Sequence, residues 1–184
     1  MRRAELEHVL RAASRIVNQR DFLVVGSAAI LGSFDETMLP AAATRSDEAD
    51  LAPYDDPDGE KSLAVEGSLG QGSMFHDTFG YFADGVDFTT AVVPLGWETW
   101  LVVFDTPGSQ DGRGLCLEPH DLAASKLAAG RDKDYEFVTA LLEANLIRIG
   151  ILAERVDGLP RERVLPGFLR RAQRFIDGRL VERK

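Results

Sequence analysis

The chain has 184 residues, of which 45% are hydrophobic and 28% charged, a balance typical of a globular domain with a substantial core. Its 30 acidic and 21 basic residues give a net charge of −9, which argues against general adhesion to nucleic acid or to an anionic membrane. The lone cysteine, Cys116, excludes an internal disulfide and a zinc ribbon. No apolar run approaches the roughly 18 residues of a membrane span, and the N-terminus lacks a secretory signal. We therefore expect a cytoplasmic protein without a membrane partner.

The first part of the chain alternates between helical and strand patterns. Apolar residues spaced three and four apart predict an amphipathic helix that begins near Leu6 and ends near Asn18. The apolar run of residues 22–25 predicts a buried strand, which Gly26 closes with a tight turn into a short helix. Residues 48–54 predict a second short strand, because the proline within them opposes a helix.

The rest of the chain predicts further strands and then helices. Residues 61–69 favour a helix, and three apolar runs predict strands of an antiparallel meander: residues 79–82, 88–93 and 100–104. Helical patterns then cover residues 119–130, 132–145, 147–156 and 168–180. We predict an α+β fold with a small twisted mixed sheet flanked by helices and a C-terminal helical bundle. Residues 1–118 would form the α/β core, and residues 119–184 a helical region packed on it as one structural unit.

Positive charge is concentrated at the C-terminal end. The segment from residue 161 to 184 carries a net charge of +5, which leaves −14 on the remainder. One interpretation is a solvated amphipathic helix whose apolar residues pack inward. The other is a face that contacts RNA. The basic residues are Arg161, Arg163, Arg170, Arg171, Arg174, Arg179, Arg183 and Lys184.

Two short patterns point to phosphate and metal chemistry. Glu48 and Asp50 would project from the same face of a strand, and paired carboxylates suit a hard cation such as Mg²⁺ or Mn²⁺. An exposed acidic edge strand is the alternative. Gly26 and Ser27 follow a buried strand at a helix start, where backbone N–H groups and a hydroxyl can bind an anion. The alternative there is a tight turn with Ser27 as the N-cap.

Taken together, these patterns resemble a known superfamily. Residues 25–27 (Val-Gly-Ser) and 48–51 (Glu-Ala-Asp-Leu) resemble the hG[GS] and [DE]h[DE]h signature of nucleotidyltransferases of the DNA polymerase beta type. Residues 120–134 resemble the K-x(3,4)-R-[DE]-x-x-D helical motif of the abortive-infection branch, which contains type IV toxins. The last aspartate of that motif matches Asp134, and its middle acid matches Asp132.

The resemblance implies a metal-dependent transfer of a nucleoside monophosphate from an NTP to an acceptor hydroxyl on RNA (a tRNA 3′ end, for instance), protein or a small molecule. Glu48 and Asp50 would hold Mg²⁺ or Mn²⁺, and residues 26–27 would bind the triphosphate. Lys126 and Arg131 would contact phosphate and neutralise charge on the leaving pyrophosphate.

The resemblance gives Asp134 the role of orienting Lys126 or the acceptor. Without the resemblance, Lys126 would be a solvated side chain, Arg131 would pair across a turn, and Asp132 or Asp134 would cap the next helix.

A third acid often serves as the base for the attacking hydroxyl in this superfamily. Asp84 and Asp87 are the candidates, although either also suits a turn. His76 is a candidate nucleotide contact, with a structural role as the alternative.

Two other function classes stay open. The chain can be a non-catalytic module of the same fold that binds a nucleotide or a partner, for instance an antitoxin-type protein in a toxin–antitoxin pair. Mg²⁺ dependence of NTP binding separates that module from an enzyme. The dyad of His120 and Asp121 resembles that of metal phosphohydrolases, which would consume nucleotide without labelling an acceptor.

Overall fold

The computed structural model describes residues 1–182, so Arg183 and Lys184 of the basic C-terminal segment lie outside the described residues. The described residues form five β-strands and seven α-helices. The strands are β1 (Asp21–Val24), β2 (Glu48–Pro53), β3 (Phe82–Gly85), β4 (Val102–Phe104) and β5 (Arg113–Cys116). The helices are α1 (Arg3–Val17), α2 (Glu60–Leu69), α3 (Met74–Phe79), α4 (Pro119–Ala129), α5 (Asp132–Glu143), α6 (Ile149–Asp157) and α7 (Pro166–Glu182). None of these helices combines the length and the apolar composition that crossing a membrane requires.

The strands form one mixed sheet in the order β3-β2-β1-β5-β4. The central strand β1 pairs antiparallel with β2 and parallel with β5. At the edges, β3 runs parallel to β2, and β4 runs antiparallel to β5. The predicted α+β class with a small mixed sheet flanked by helices is therefore confirmed. Because β1 and β2 run in opposite directions, the turn that follows β1 lies beside the first half of β2.

The predicted antiparallel meander is wrong. Residues 82–85 and 102–104 are strands, but they lie at opposite edges of the sheet, and residues 88–90 form a 3₁₀ turn instead of a strand. The sequence pattern also missed β5, which separates β1 from β4. A glycine interrupts the apolar run of β5, because a Cβ at Gly114 would press on Leu10 and Val24 at 3.2 Å. β5 is a strand because it pairs with β1 and β4, and these partners are not visible in its own four residues.

The helices at the C-terminal end follow their sequence signals. Pro119 occupies the first turn of α4, and the Glu118 side chain accepts hydrogen bonds from the backbone N–H groups of His120 and Asp121. Gly130 ends α4 in the left-handed conformation with φ of 72°, and α5 begins two residues later. The short turn between α4 and α5 therefore places the beginning of α5 beside the end of α4. The division of the chain at residue 118 stays a prediction.

Candidate functional site

Most of the site residues proposed from the sequence meet in one cavity of about 560 Å³. The cavity lies where the turn after β1, the first half of β2, the end of α4 and the start of α5 come together. Its volume falls in the range of about 300–1,000 Å³ that is usual for small-molecule sites. The lining includes Gly26, Ser27, Glu48, Asp50, Lys126, Arg131 and Asp134.

Gly26 allows the Asp50 carboxylate to lie directly against the backbone. A Cβ built at position 26 would overlap Asp50 Oδ2, so any other residue there would displace the carboxylate. The backbone N–H of Val25 also donates to the Asp50 carbonyl oxygen at 3.2 Å. The glycine is therefore required by a close approach and not by its φ, which is an ordinary −87°.

Glu48 and Asp50 form an electrostatically strained pair. Both are half-buried on β2, with the buried Ala49 between them. Burial, followed by the charge of Glu48, raises the pKa of Asp50 from 3.8 to about 7, while Lys126 opposes the rise. A cation shared by the two carboxylates would relieve both effects.

Asp84 lies next to this pair. It stands opposite Asp50 in the register of β2 and β3. Burial, followed by the charges of Glu66 and Glu48, raises its pKa from 3.8 to about 6. In the described part of the chain, its Oδ1 atom is buried and has no hydrogen-bond partner. Of the two candidates for a third acid, Asp84 is therefore the one that lies beside Glu48 and Asp50.

On the facing wall, Lys126 from α4 reaches the turn after β1. Its Nζ atom donates to Ser27 Oγ at 2.8 Å and lies 3.4 Å from Asp134 Oδ1. The Lys126 side chain is 11% exposed, and burial lowers its pKa while the charge of Asp134 opposes that shift. A lysine ninety-nine positions away thus contacts the serine of the Gly-Ser turn. Lys126 is not a solvated side chain.

Asp134 connects two cations of the cavity. It is 1% exposed, and its Oδ2 atom accepts from Arg131 Nε at 2.7 Å while Arg131 Nη2 donates to its Oδ1 at 3.3 Å. The same Oδ1 atom faces Lys126. One buried carboxylate therefore holds both the lysine and the arginine at the cavity wall.

Four of the proposed site residues do not line the cavity. One of them is Asp84, which lies next to Asp50 on β3, and the other three make contacts elsewhere. The His76 ring packs on Phe82 with 4.8 Å between ring centroids. Asp87 caps the 3₁₀ turn of residues 88–90. Asp132 is 89% exposed and pairs with Arg171 at 2.8 Å. Their contacts are those of packing, capping and surface pairing.

The dyad of His120 and Asp121 is divided between separate partners. Asp121 is buried and lies 2.8 Å from Arg155 Nε, whereas His120 Nδ1 lies 2.6 Å from Glu118 Oε1. Within residues 1–182, no group of three or more His, Cys, Asp or Glu side chains is arranged to hold a metal ion. In this part of the chain, a cation at Glu48 and Asp50 would therefore have no third ligand from these four residue types.

The cavity also contains residues that the sequence patterns did not single out. Arg45 and Glu136 form an ion pair of 3.1 Å, and Lys133 lies on the same helix as Glu136. A loop segment, residues 90–92, lines another part of the cavity. None of these residues is a specified position of a motif, although Lys133 lies within residues 120–134. They reach the cavity through the packing of a loop and of α5.

Comparisons with curated proteins and with solved structures each return no match. One family model matches residues 4–160, a range that includes all the cavity residues described above. The chain therefore belongs to the family described as "Nucleotidyltransferase of unknown function (DUF6036)".

Proposed function

We propose that the protein transfers a nucleoside monophosphate from an NTP to an acceptor hydroxyl in the presence of Mg²⁺ or Mn²⁺. The observation that supports this most directly is the 2.8 Å hydrogen bond from Lys126 to Ser27 in a cavity that also contains Glu48 and Asp50. The groups suited to phosphate, Ser27 and Lys126, and those suited to a cation, Glu48 and Asp50, thus line the same cavity. Within the superfamily we infer the abortive-infection branch, from the resemblance that includes Lys126 and Asp134.

The residues present fit a divalent cation that arrives with the nucleotide. Mg²⁺ in nucleotide enzymes is usually held by one or two carboxylates together with phosphate oxygens of the substrate. Glu48 and Asp50 supply two carboxylates, and the pKa of Asp50 is raised to about 7 by burial first and by the charge of Glu48 second, both of which a bound cation would oppose. When bound, the cation would neutralise phosphate charge and orient the triphosphate.

The remaining contacts would be made by the Gly-Ser turn and its lysine. Since Lys126 donates to Ser27 Oγ, the hydroxyl hydrogen of Ser27 is left to donate to a phosphate oxygen. In the reaction, the acceptor oxygen forms a bond to the α-phosphorus, and the bond from that phosphorus to the bridging oxygen breaks. The electron pair leaves with pyrophosphate, and Lys126 and Arg131 stabilise its charge.

The acceptor hydroxyl also has to lose a proton, and we assign Asp84 to accept it. The buried Asp84 Oδ1 atom has no partner in the described chain, and its pKa of about 6 leaves the group ionised at neutral pH. The transfer rate should therefore rise as the pH increases through about 6, where Asp84 ionises, and through about 7, where Asp50 ionises, and then level off. A pH–rate profile of Asp84→Asn should show a much lower rate without the rise near pH 6, whereas Asp87→Asn should keep the wild-type rate and profile. A wild-type profile in Asp84→Asn would remove this assignment.

The proposed function is tested first by NTP binding. We expect calorimetric titrations to show tighter NTP binding with Mg²⁺ than with EDTA, because the carboxylate pair needs the cation before a triphosphate can approach. Asp50→Ala should lose that difference, whereas Asp47→Asn, which removes an exposed acid just before β2, should match the wild type. Equal binding with Mg²⁺ and EDTA would instead indicate the non-catalytic nucleotide-binding module.

A further inference from the structure

Beyond the residues of the proposed reaction, five basic side chains lie at the cavity or on α7 beside it. We define the basic rim as Arg45, Lys133, Arg170, Arg171 and Arg174. Its first two members line the cavity itself. Arg45 lies 3.1 Å from Glu136, and Glu136 is three positions after Lys133 on α5, so all three side chains share one area.

The turn between α4 and α5 connects this area to α7. Arg171 of α7 donates to the Gly130 carbonyl oxygen at 3.0 Å and pairs with Asp132 at 2.8 Å. Its guanidinium also lies over the Tyr135 ring, 4.3 Å from the centroid. Arg171 is therefore fixed against the residues immediately before and after Lys133.

The other two arginines of the rim extend it along α7. Arg170 and Arg174 are four positions apart on the helix, next to Arg171, and both are exposed. Within residues 1–182, neither has an ion pair or a hydrogen bond to its side chain. Their charge is therefore available to a ligand.

The rim is positive in a protein that is negative overall. Among residues 1–182, the five cations form ion pairs with two acids, Glu136 and Asp132, in a chain of net charge −9. Both pairs are largely in solvent, with side-chain exposures of 70% and 58% for Arg45 and Glu136. Exposed pairs of this kind contribute little stability, so a phosphate can displace the carboxylate from the guanidinium.

The rim is separate from the cations assigned to the nucleotide. Lys126 and Arg131 are held by Asp134 inside the cavity, whereas the rim extends away from it along α7. Several spaced cations suit a row of phosphates better than a single small anion. They would repel a polycationic small molecule.

We propose that the basic rim binds the sugar-phosphate backbone of a nucleic-acid strand, and that a hydroxyl at the end of this strand is the acceptor. The second half of this inference rests on the proposed function. The first half, binding of the strand, stands independently and is measured without nucleotide.

The test compares two double variants that each remove two positive charges. Arg170→Gln with Arg174→Gln changes the rim. Arg15→Gln with Arg148→Gln is the matched control, because both arginines are exposed and lie away from the cavity, on α1 and after the end of α5. The probes are mixed-sequence single-stranded RNA and DNA of equal length, labelled with fluorescein and titrated at several salt concentrations. Thermal unfolding checks that both variants fold.

We expect the rim variant to bind RNA about 25-fold more weakly than the wild type at 0.1 M salt. The slope of the logarithm of the binding constant against the logarithm of the salt concentration should be shallower by about 1.4, because each of the two lost phosphate contacts on a single strand contributes about 0.7. The control should match the wild type. The RNA and DNA titrations show which backbone is preferred. Equal losses in both double variants, or no binding of either strand by the wild type, would overturn the inference.

The NTP titrations of wild-type protein are independent of this result. NTP binding without strand binding would remove the rim proposal and leave the proposed function standing. Strand binding without NTP binding would remove the proposed function and leave the binding of a strand by the basic rim standing. Transfer of nucleotide to a protein in a mixture that also contains the RNA would contradict the assignment of the acceptor.

Discussion

Replacing Asp50 with asparagine should make the folded protein more stable at alkaline pH while removing metal-dependent NTP binding. Raising a carboxyl pKa from 3.8 to about 7 costs the folded state roughly 4 kcal/mol once the pH exceeds 7, at about 1.4 kcal/mol per pKa unit. The uncharged amide of the Asp50→Asn variant would avoid this cost but would also lose the attraction of Lys126 for the carboxylate. We therefore expect a net gain of about 2 kcal/mol at pH 8.

The sign of the pH dependence follows from the direction of the shift. Below about pH 3, Asp50 is protonated in both states, and near pH 4 the unfolded chain has only begun to release this proton, so Asp50→Asn should change stability little there. Between about pH 4 and 7 the folded protein keeps a proton that the unfolded chain releases, so wild-type stability falls relative to the variant as the pH rises. Urea unfolding at pH 4, 6 and 8 measures this, with Asp47→Asn as the exposed control. A variant that is less stable than the wild type at pH 8, or a gain that is the same at every pH, would refute the reasoning.

Two further pairs of substitutions test the cavity walls. Asp134→Ala should destabilise the fold by about 3 kcal/mol, because it leaves two cations at the wall without their buried carboxylate, whereas the exposed Asp132→Ala should cost about 0.5 kcal/mol or less. Equal urea midpoints for these variants would contradict that role of Asp134. Gly26→Ala should displace Asp50 and abolish Mg²⁺-dependent NTP binding, as calorimetry would show. Gly67→Ala, on an open face of α2, should retain binding and gain up to about 1 kcal/mol of stability. Normal NTP binding by Gly26→Ala would remove the argument from close approach.

Local sequence signals predicted the elements that carry the site. The run before Gly26 and the acids of residues 48 and 50 each have a short-range pattern, and the structure has strands at both places. The turn between α4 and α5 also has a local signal, since Gly130 adopts a positive φ. These signals depend only on neighbouring residues, which is why the sequence was sufficient for them.

The order of the strands could not be predicted in the same way. Nothing in residues 113–116 indicates that β5 pairs parallel with β1, because that pairing depends on residues about ninety positions apart. The apolar residues 88–93 match a strand in composition, but Asp87 caps a 3₁₀ turn there. The local pattern therefore predicted three neighbouring strands. In the structure, two of these segments lie at opposite edges of the sheet and the middle one contains a 3₁₀ turn.

The same distinction applies to the candidate site. The sequence left Asp84 and Asp87 as equal candidates, and only the register of β2 and β3 puts Asp84 opposite Asp50. Arg45 and Lys133 had no motif, because their position at the cavity depends on how α5 packs against the loop before β2.

Nucleotide transfer itself is the most direct test of the account. Purified protein is incubated with each of the four α-³²P-labelled NTPs and Mg²⁺, alone and with total RNA or cell lysate, and the products are separated on gels that resolve RNA and protein. We predict label in RNA with at least one NTP, and none when Lys126→Ala or Asp50→Ala replaces the wild type. The absence of label in every mixture, together with NTP binding that does not depend on Mg²⁺, would contradict the assignment of this cavity as a nucleotidyltransferase active site.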